Sequence, residues 1–238
     1  MIYRLGNSFL INDNSKNFEK YLFFFKNLEY DNILFFLDPD FADDDIFMFN
    51  IETLAKFFNV DFSLFLMTSE KILIKYAFKN IKFFNIMFAV DTRQCKMISS
   101  KQPMCRVDFI AKFSKGKKIF NNKNDAFSTL IECTKLRKKN DTNFAHAKKI
   151  ELPKAIIEHY ANKNTLVIDF FGGSGSTLIA SELLGVQCVC FEILNENCDI
   201  IRTEYARRMS ENKRCVSFDY KLKNHTKQVQ INYGFDFS

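Results

Sequence analysis

The chain has 238 residues, a mass of 28.0 kDa, 47% hydrophobic residues and a formal net charge of +6. This length allows one domain with a full hydrophobic core, but the apolar runs, such as residues 33–37, are far too short to span a membrane. No secretory signal is visible, and the seven cysteines are odd in number and lack Cys-x-x-Cys spacing. We therefore expect a reduced, cytoplasmic protein without a disulfide framework or a cysteine metal site.

Strands and helices are predicted to alternate along the chain. Short apolar runs predict strands at residues 1–5, 32–37, 62–67, 83–89, 106–113, 165–169 and 187–192. Helices are predicted at residues 15–28, 50–58, 69–79, 151–161, 175–184 and 196–210. This alternation predicts an α/β fold in which helices cover both faces of a mostly parallel sheet. Ligands bind such sheets at the carboxyl ends of the strands.

An acidic segment follows the predicted strand 32–37. It begins with Asp38, Pro39, Asp40 and Phe41 and continues to Asp45. Taken alone, the segment is consistent with an acidic loop or a calcium-like turn. Its place at the end of an apolar strand also makes Asp38 a candidate site residue.

Charge is unevenly distributed along the chain. Residues 1–62 hold 11 acidic and 5 basic side chains, a net of −6, whereas residues 112–154 hold 12 basic and 4 acidic side chains, a net of +8. The candidate phosphate contacts of the basic segment are Lys115, Lys117, Lys118, Arg137, Lys138 and Lys139. A nucleic-acid-binding segment and a solvated, partly disordered loop explain this composition equally well.

The most informative segment is the glycine turn after the predicted strand 165–169. Gly172, Gly173 and Gly175 allow the backbone to pass close to a ligand. A P-loop has lysine before its Ser or Thr, but here Ser176 precedes Thr177, and the glycine spacing does not match the dinucleotide pattern G-x-G-x-x-G. A triphosphate is therefore not expected. A tight strand-to-helix turn without a ligand is the alternative.

Two carboxylates flank this turn in the predicted sheet. Asp169 ends the strand before the turn, and Glu192 ends the next strand along the chain. Acids at two adjacent strand ends suit a ligand that carries both an ammonium group and ribose hydroxyls. This description fits S-adenosylmethionine better than NAD.

The segment 169–177, Asp-Phe-Phe-Gly-Gly-Ser-Gly-Ser-Thr, is similar to the D-x-F-x-G-S-G-T-T motif of the DNA amino-methyltransferases, which methylate adenine N6 or cytosine N4. The permuted, beta-type motif order fits best, because residues 38–41 resemble its catalytic D-P-P-Y/F motif and lie upstream. Weaker likenesses are Gly6-Asn7 to a strand ending in Gly-Asp, residues 107–115 to a late strand, and residues 146–153 to the H-P-A-x-F-P segment. The resemblance covers about residues 1–210.

The resemblance implies a Rossmann-like class I methyltransferase fold with a seven-stranded, mostly parallel sheet and permuted motif order. It divides the domain into a catalytic half at residues 1–114, a basic recognition-like insert at 115–146 and a cofactor-binding half at 147–210. Residues 211–238 are expected to form a polar tail or an edge strand. The implied partners are S-adenosylmethionine, DNA, and either a second copy or another methyltransferase subunit; neither a metal nor a membrane is implied.

The resemblance also implies roles for individual residues. Asp38 and the carbonyl of Pro39 would accept the hydrogens of the target amine, and Phe41 would stack on the flipped base. Asp40 replaces the second proline of the motif, which brings a second carboxylate close to Asp38 and loosens the intervening peptide. The implied cofactor-binding residues are Asn7, Asp169, Phe170, Phe171, Gly172, Gly173, Ser174, Gly175, Thr177 and Glu192. The implied DNA-binding residues are Lys115, Lys117, Lys118, Arg137, Lys138 and Lys139.

Three interpretations of function remain open from the sequence. The first is an active DNA amino-methyltransferase, with adenine N6 before cytosine N4. The second is a degenerate methyltransferase-like subunit that binds cofactor or DNA and supports a partner, which Asp40 favours. The third is an RNA or free-nucleotide methyltransferase. Since Pro103 and Cys105 are not adjacent, a cytosine-C5 mechanism through a Pro-Cys nucleophile is disfavoured.

Overall fold

A computed structural model describes residues 1–39, 44–96, 105–121, 127–132, 150–211 and 231–233. Its strands are β1 Ile2–Leu5, β2 Ser8–Asn12, β3 Asn32–Leu37, β4 Asp61–Met67, β5 Phe84–Lys96, β6 Cys105–Lys115, β7 Leu130–Glu132, β8 Thr165–Asp169, β9 Gln187–Glu192 and β10 Ile231–Tyr233. Its α-helices are α1 Leu22–Lys26, α2 Ile51–Phe57, α3 Glu70–Lys79, α4 Glu151–Tyr160, α5 Ser176–Leu184 and α6 Asn195–Glu211. Short 3-10 helices cover Ser15–Tyr21, Asp44–Phe49 and Ile81–Phe83.

The described strands form one sheet in the order β10-β1-β2-β9-β8-β3-β4-β6-β5-β7. The central seven strands, from β2 to β5, run parallel except for β6, which is antiparallel to both β4 and β5. Short strands extend the sheet beyond β2 and β5. The predicted seven-stranded, mostly parallel sheet is therefore the core of a larger mixed sheet.

Helices cover both faces of the sheet, as the alternating pattern predicts. One face packs against α1, α2, α3 and the 3-10 helix Ser15–Tyr21, and the other packs against α4, α5 and α6. All six residues of β3 are buried, since a central strand contacts helices on both sides. Phenylalanine fills much of the first face: Phe35, Phe49 and Phe170 pack together, with Phe49 and Phe170 stacked at 4.4 Å between ring centroids.

The amino-terminal region differs from the prediction. The predicted strand 1–5 is present, but it is an outer strand that turns at Gly6, whose φ of +63° suits glycine, into an antiparallel partner. That partner, β2, is the strand that pairs in parallel with β9, and it was not predicted. The predicted helix 15–28 is a 3-10 helix followed by the short α1.

Most of the remaining helices and strands agree closely with the prediction, but β7 and the 3-10 helices Asp44–Phe49 and Ile81–Phe83 were not predicted. Helices α2 to α6 and strands β3, β4, β8 and β9 lie within one or two residues of the predicted bounds, whereas β5 is longer. The carboxyl-terminal segment contributes β10, which pairs with β1 as an edge strand. No helix in the described ranges is long and apolar enough to cross a membrane.

Candidate active site

The candidate site is the edge of the sheet at which the parallel strands end. Asn12 pairs with Glu192 across β2 and β9, and Asp169 pairs with Cys190 across β9 and β8. In β3, Phe35 pairs with Ile168, the residue before Asp169, so Asp38 follows β3 at the same edge. The structure therefore places Asp38, Asp169 and Glu192 at the same edge of the sheet, as the sequence predicts, and we call this edge the crevice.

The glycine turn is ordered by the carboxylate that precedes it. Asp169 is 2% exposed, and its Oδ1 accepts a hydrogen bond of 2.8 Å from the backbone N–H of Phe171. The backbone N–H of Gly172 donates to the carbonyl of Phe191 at 2.7 Å, which joins the turn to the end of β9. The turn is thus attached to both strands that border it.

Two glycines of the turn meet opposite environments. A Cβ atom on Gly172 would lie 2.7 Å from both Cys190 Sγ and the Phe191 carbonyl oxygen, so the backbone there has no room for a side chain. A Cβ atom on Gly173 would meet only the Phe171 carbonyl oxygen, at 3.8 Å. Gly172 therefore packs against β9, and Gly173 faces open space in which a ligand can lie.

Glu192 is held in place by backbone N–H groups from both sides. Its Oε2 accepts from Gly173 N at 2.8 Å, and its Oε1 accepts from Leu194 N at 2.8 Å and from Asn197 Nδ2 at 3.2 Å. The side chain is 7% exposed. A carboxylate oxygen has lone pairs for more than one donor, so this arrangement fixes Glu192 while leaving it able to accept from a hydroxyl.

The other residues predicted around the turn divide by burial. Phe170 lies in the core against Phe49, whereas Phe171 is half-buried and makes an edge contact with the same ring at 5.7 Å. Ser174 is half-buried in the turn, and Thr177 is buried in the first turn of α5. Phe170 therefore anchors the turn in the hydrophobic core through its contact with Phe49.

One side of the crevice is formed by the residues that follow β3. Asp38 is half-buried and Pro39 is buried, while Asp40 and Phe41 lie outside the described residues. On the neighbouring strand end, the buried hydroxyl of Thr68 has no hydrogen-bond partner within the described ranges. Leu37 pairs with Leu66, so Thr68 is level with Pro39. Sequence reasoning did not identify Thr68, because a single threonine after a strand carries no distinguishing pattern.

The structure does not bring Asn7 to the crevice. Gln187 begins β9, and its Nε2 donates to the Asn7 carbonyl at 3.1 Å, so Asn7 lies at the opposite edge of the sheet from Glu192. The strand that reaches the crevice is β2, which ends at Asn12 and is followed by Asp13. The prediction therefore chose the end of β1, whereas the strand that ends at the crevice is the next one, β2.

Asp13 is a crevice-edge residue that the sequence analysis missed. Its carboxylate accepts from Asn17 Nδ2 at 2.9 Å, from Tyr21 Oη at 2.7 Å and from Asn14 N at 2.7 Å. Burial acts to raise the pKa of Asp13, but these hydrogen bonds outweigh burial and lower the pKa below its usual value. Asn12 contacts Glu192 through a hydrogen bond of 3.1 Å from its Nδ2 to the Glu192 carbonyl.

The predicted DNA-binding lysines lie away from the crevice. Because β6 is antiparallel to β4, its last residue, Lys115, pairs with Phe62 near the start of β4. Lys117 and Lys118 follow on the same edge, and Lys117 N donates to Asp61 Oδ2 at 3.0 Å. These three lysines therefore lie at the edge opposite the crevice, which does not fit their predicted role as phosphate contacts for DNA bound at the crevice. Arg137, Lys138 and Lys139 lie outside the described residues.

The cysteines near the crevice are not arranged for nucleophilic chemistry. Cys188 and Cys190 are fully buried on β9, and burial together with the Asp169 carboxylate raises the pKa of both thiols well above the usual value. Burial also raises the pKa of Cys198 to about 11. Among the residues that the structure describes, no group of three or more His, Cys, Asp or Glu side chains is placed to hold a metal ion.

The strand order, the antiparallel β6 and the acidic crevice define a Rossmann-like α/β methyltransferase fold. The chain belongs to the DNA methylase family of N6 and N4 amino-methyltransferases, whose family profile matches residues 2–203. A curated relative, the type II methyltransferase M.BamHI of Bacillus amyloliquefaciens, is 36% identical over 75 residues, or 32% of this chain. The matched segment spans 17% of that relative's length.

Solved structures agree on the fold. The M1.HpyAVI–SAM complex is 19% identical with a TM-score of 0.65, covering 82% of this chain and 98% of that chain. The cytosine-N4-specific PvuII DNA methyltransferase is 17% identical with a TM-score of 0.64, covering 87% and 94%. TTHA0409 from Thermus thermophilus, a putative DNA modification methylase complexed with S-adenosyl-L-methionine, is 13% identical with a TM-score of 0.53, covering 83% and 94%.

Proposed function

We propose that this chain transfers a methyl group from S-adenosylmethionine to the exocyclic amine of a base flipped out of DNA, with adenine N6 preferred over cytosine N4. The observation that carries this proposal is the convergence of Asp38 and Pro39 with Asp169 and Glu192 at one edge of the sheet. The first pair suits an amine, and the second pair suits the cofactor. Membership of the DNA methylase family supports DNA as the substrate.

The chemistry of the crevice fits this cofactor. Asp169 and the glycine turn would hold the methionine end, since a carboxylate binds an ammonium group and Gly173 leaves open space beside the backbone. Glu192 would accept hydrogen bonds from the ribose hydroxyls. Asp13, at the end of β2, replaces Asn7 as the residue expected near the adenine. When bound, the cofactor supplies an electrophilic methyl group.

On the target side, Asp38 and Pro39 activate the amine. An exocyclic amine is a poor nucleophile, because its lone pair is delocalised into the ring. When the Asp38 carboxylate and the Pro39 carbonyl each accept a hydrogen bond from one N–H of the amine, the lone pair of the nitrogen is localised and directed towards the methyl group. One proton leaves the nitrogen as the new C–N bond forms, and we assign Asp38 to take it. We assign Phe41 to stacking on the flipped base.

The test is methyl transfer from labelled S-adenosylmethionine to unmethylated duplex DNA, followed by digestion and mass spectrometry of the nucleosides. We expect label in N6-methyladenine. Label in N4-methylcytosine would support the same mechanism on the other amine and correct the target. No label in DNA under conditions where the cofactor binds would contradict the proposal, and label in RNA alone would indicate an RNA methyltransferase.

A second candidate function rests on Asp40, which stands where the family motif has proline. In this candidate, the chain is a degenerate subunit that binds cofactor or DNA and supports an active partner. Proline restricts the backbone and stiffens the preceding carbonyl, so Asp40→Pro distinguishes the two. A gain of turnover in Asp40→Pro would support the degenerate subunit, and a loss of turnover would support an enzyme adapted to aspartate.

A further inference from the structure

Helix α3 carries a stripe of exposed residues on the side that faces away from the sheet. Its buried side is formed by Ile72, Leu73 and Tyr76. The outward stripe is Lys71, Ile74, Lys75 and Phe78, at helical spacing, and the exposed Lys82 follows shortly after the helix. Ile74 is 65% exposed and Phe78 is 79% exposed, the latter the highest value among the large apolar side chains that the structure describes.

A groove lies beside this stripe. It has a volume of about 450 Å³ and is lined by Phe47, Lys75, Phe78 and Lys79. Phe47 belongs to the 3-10 helix Asp44–Phe49, which follows the catalytic segment in the chain, and its ring stacks on Tyr76 at 6.2 Å. Lys79 Nζ lies 4.5 Å from the centre of the Phe47 ring. The groove therefore combines aromatic surface with lysine ammonium groups.

The lysines of the stripe are not neutralised by the described part of the chain. Beyond the helix, Lys82 pairs with Glu52 at 2.5 Å, but Lys71 and Lys75 contact no carboxylate within the described ranges. These ammonium groups lie next to exposed apolar surface and contact no carboxylate in the described part of the chain. The surface therefore favours the binding of a polyanion that also has apolar faces.

Nucleic acid fits this surface better than another protein. Lysine is depleted at the buried centres of protein–protein interfaces, since its ammonium group must lose water without a fixed partner. Protein surfaces that bind nucleic acid instead combine lysine contacts to phosphates with aromatic contacts to bases and sugars.

The position of α3 connects the stripe to the crevice. The helix begins at Glu70, three residues after β4 ends at the edge that holds Asp38, and Lys71 lies in its first turn. The stripe then runs from that edge along the outer surface of the helix layer. The predicted lysines at 115, 117 and 118 occupy the opposite edge and cannot provide this continuity.

We propose that the outer stripe of α3, with the groove beside it, binds the DNA strand that flanks the target base. Lys71 and Lys75 contact phosphates, and Phe78 contacts the sugar or base of a neighbouring nucleotide. The choice of DNA as the polyanion rests on the proposed function, but DNA binding is measured separately from methyl transfer.

The experiment measures the binding of a labelled, unmethylated duplex by fluorescence anisotropy between about 50 and 200 mM salt. Over this range, a protein with several phosphate contacts loses orders of magnitude in affinity. The slope of log affinity against log salt is negative, and each lost phosphate contact makes it shallower by about 0.9. Lys71→Ala/Lys75→Ala should therefore make it shallower by about 1.8. The matched control is Lys117→Ala/Lys118→Ala, which removes the same charge from the opposite edge and should leave the slope unchanged. Phe78→Ala should weaken binding about fivefold or more without changing the slope.

Several results would overturn the inference. Equal slope changes in the two double variants would show a general charge effect, and an unchanged slope in Lys71→Ala/Lys75→Ala would remove the phosphate contacts. Conversion of a dimer to a monomer by Phe78→Ala, with unchanged DNA affinity, would assign the stripe to a second copy of the chain. If the variants show the expected slope changes but the wild-type chain makes no methylated base, the result would support this inference and contradict the proposed function.

Discussion

The two sides of the crevice are stabilised by different means. On the cofactor side, Asp169, Gly173 and Glu192 are joined by hydrogen bonds within one strand–turn–strand unit. On the target side, Asp38 lies next to a strand end where the buried Thr68 hydroxyl has no partner among the described residues. The comparison indicates that the Asp169–Glu192 side is fixed by its own backbone hydrogen bonds, whereas the Asp38 side retains a buried hydroxyl whose hydrogen-bonding capacity is unused among the described residues.

The strongest way to break the cofactor side is Gly172→Val. The new side chain would overlap Cys190 Sγ and the Phe191 carbonyl, both 2.7 Å from the added Cβ, and would push the turn away from β9. A misplacement of about 1 Å in a positioned site can cost about 100-fold in rate, and we expect a loss of cofactor affinity of similar size. Calorimetric titration with S-adenosylhomocysteine measures this loss.

The matched control for that variant is Gly173→Ala. Gly173 has a φ of +50°, which costs alanine about 1 kcal/mol, but its Cβ would meet no close atom. We therefore expect a much smaller loss of folding stability than in Gly172→Val, although the added methyl group would enter the space in which we place the cofactor and would also weaken its binding. Equal losses of folding stability in the two variants would contradict the packing role of Gly172.

A smaller effect is expected from Glu192→Gln. The carboxylate accepts from Gly173 N, Leu194 N and Asn197 Nδ2, so a glutamine amide group would place its N–H₂ against one of these donors. We expect the free energy of unfolding to fall by about 1–3 kcal/mol and cofactor affinity to fall about tenfold. Urea denaturation and calorimetric titration measure the two quantities. Unchanged stability would show that these hydrogen bonds do not hold the turn.

The assignment of the adenine end can be sharpened with Asp13→Asn and Asn7→Ala. Asp13 follows β2 at the crevice, whereas Asn7 lies at the opposite edge of the sheet. We expect Asp13→Asn to weaken cofactor binding about fivefold to tenfold, in line with the loss of about one hydrogen bond. Asn7→Ala should bind as wild type does. The reverse order would restore the sequence-based assignment.

The smallest effect is expected from Thr68→Val on the target side. Valine has nearly the shape of threonine and removes a buried hydroxyl that has no partner in the described part of the chain. The free energy of unfolding should stay constant or rise by up to about 1 kcal/mol. Thermal denaturation, with Thr68→Ser as the control that keeps the hydroxyl, measures this change. A clear destabilisation by valine alone would show that the hydroxyl has a partner in the free protein.

The cofactor side was predictable from sequence because its signals are local. Asp169 to Thr177 form a strand end, a turn and a helix start within nine consecutive residues, and Glu192 ends the next strand. Asp38 was found in the same way, as an acid after a continuously apolar strand. Each residue of this group needed only its own flanking segment to be placed.

The errors arose where placement depends on pairing between distant segments. Both hairpin strands, β1 and β2, are short and apolar, and only the parallel pairing of β2 with β9 shows which one reaches the crevice. The positions of Lys115, Lys117 and Lys118 could not be predicted for a similar reason, because the direction of β6 decides which edge of the sheet they occupy. Local composition does not encode either fact.

The most direct test of the account compares wild type with Asp38→Asn in two assays on the same preparations: cofactor affinity by calorimetry, and methyl transfer to duplex DNA by nucleoside mass spectrometry. Removal of one preorganised polar group from a transition state typically costs about 10²–10³ in rate. We predict that Asp38→Asn binds the cofactor as wild type does and loses methyl transfer by about that factor. Methyl transfer that persists in Asp38→Asn would contradict the role of the crevice in activating the amine.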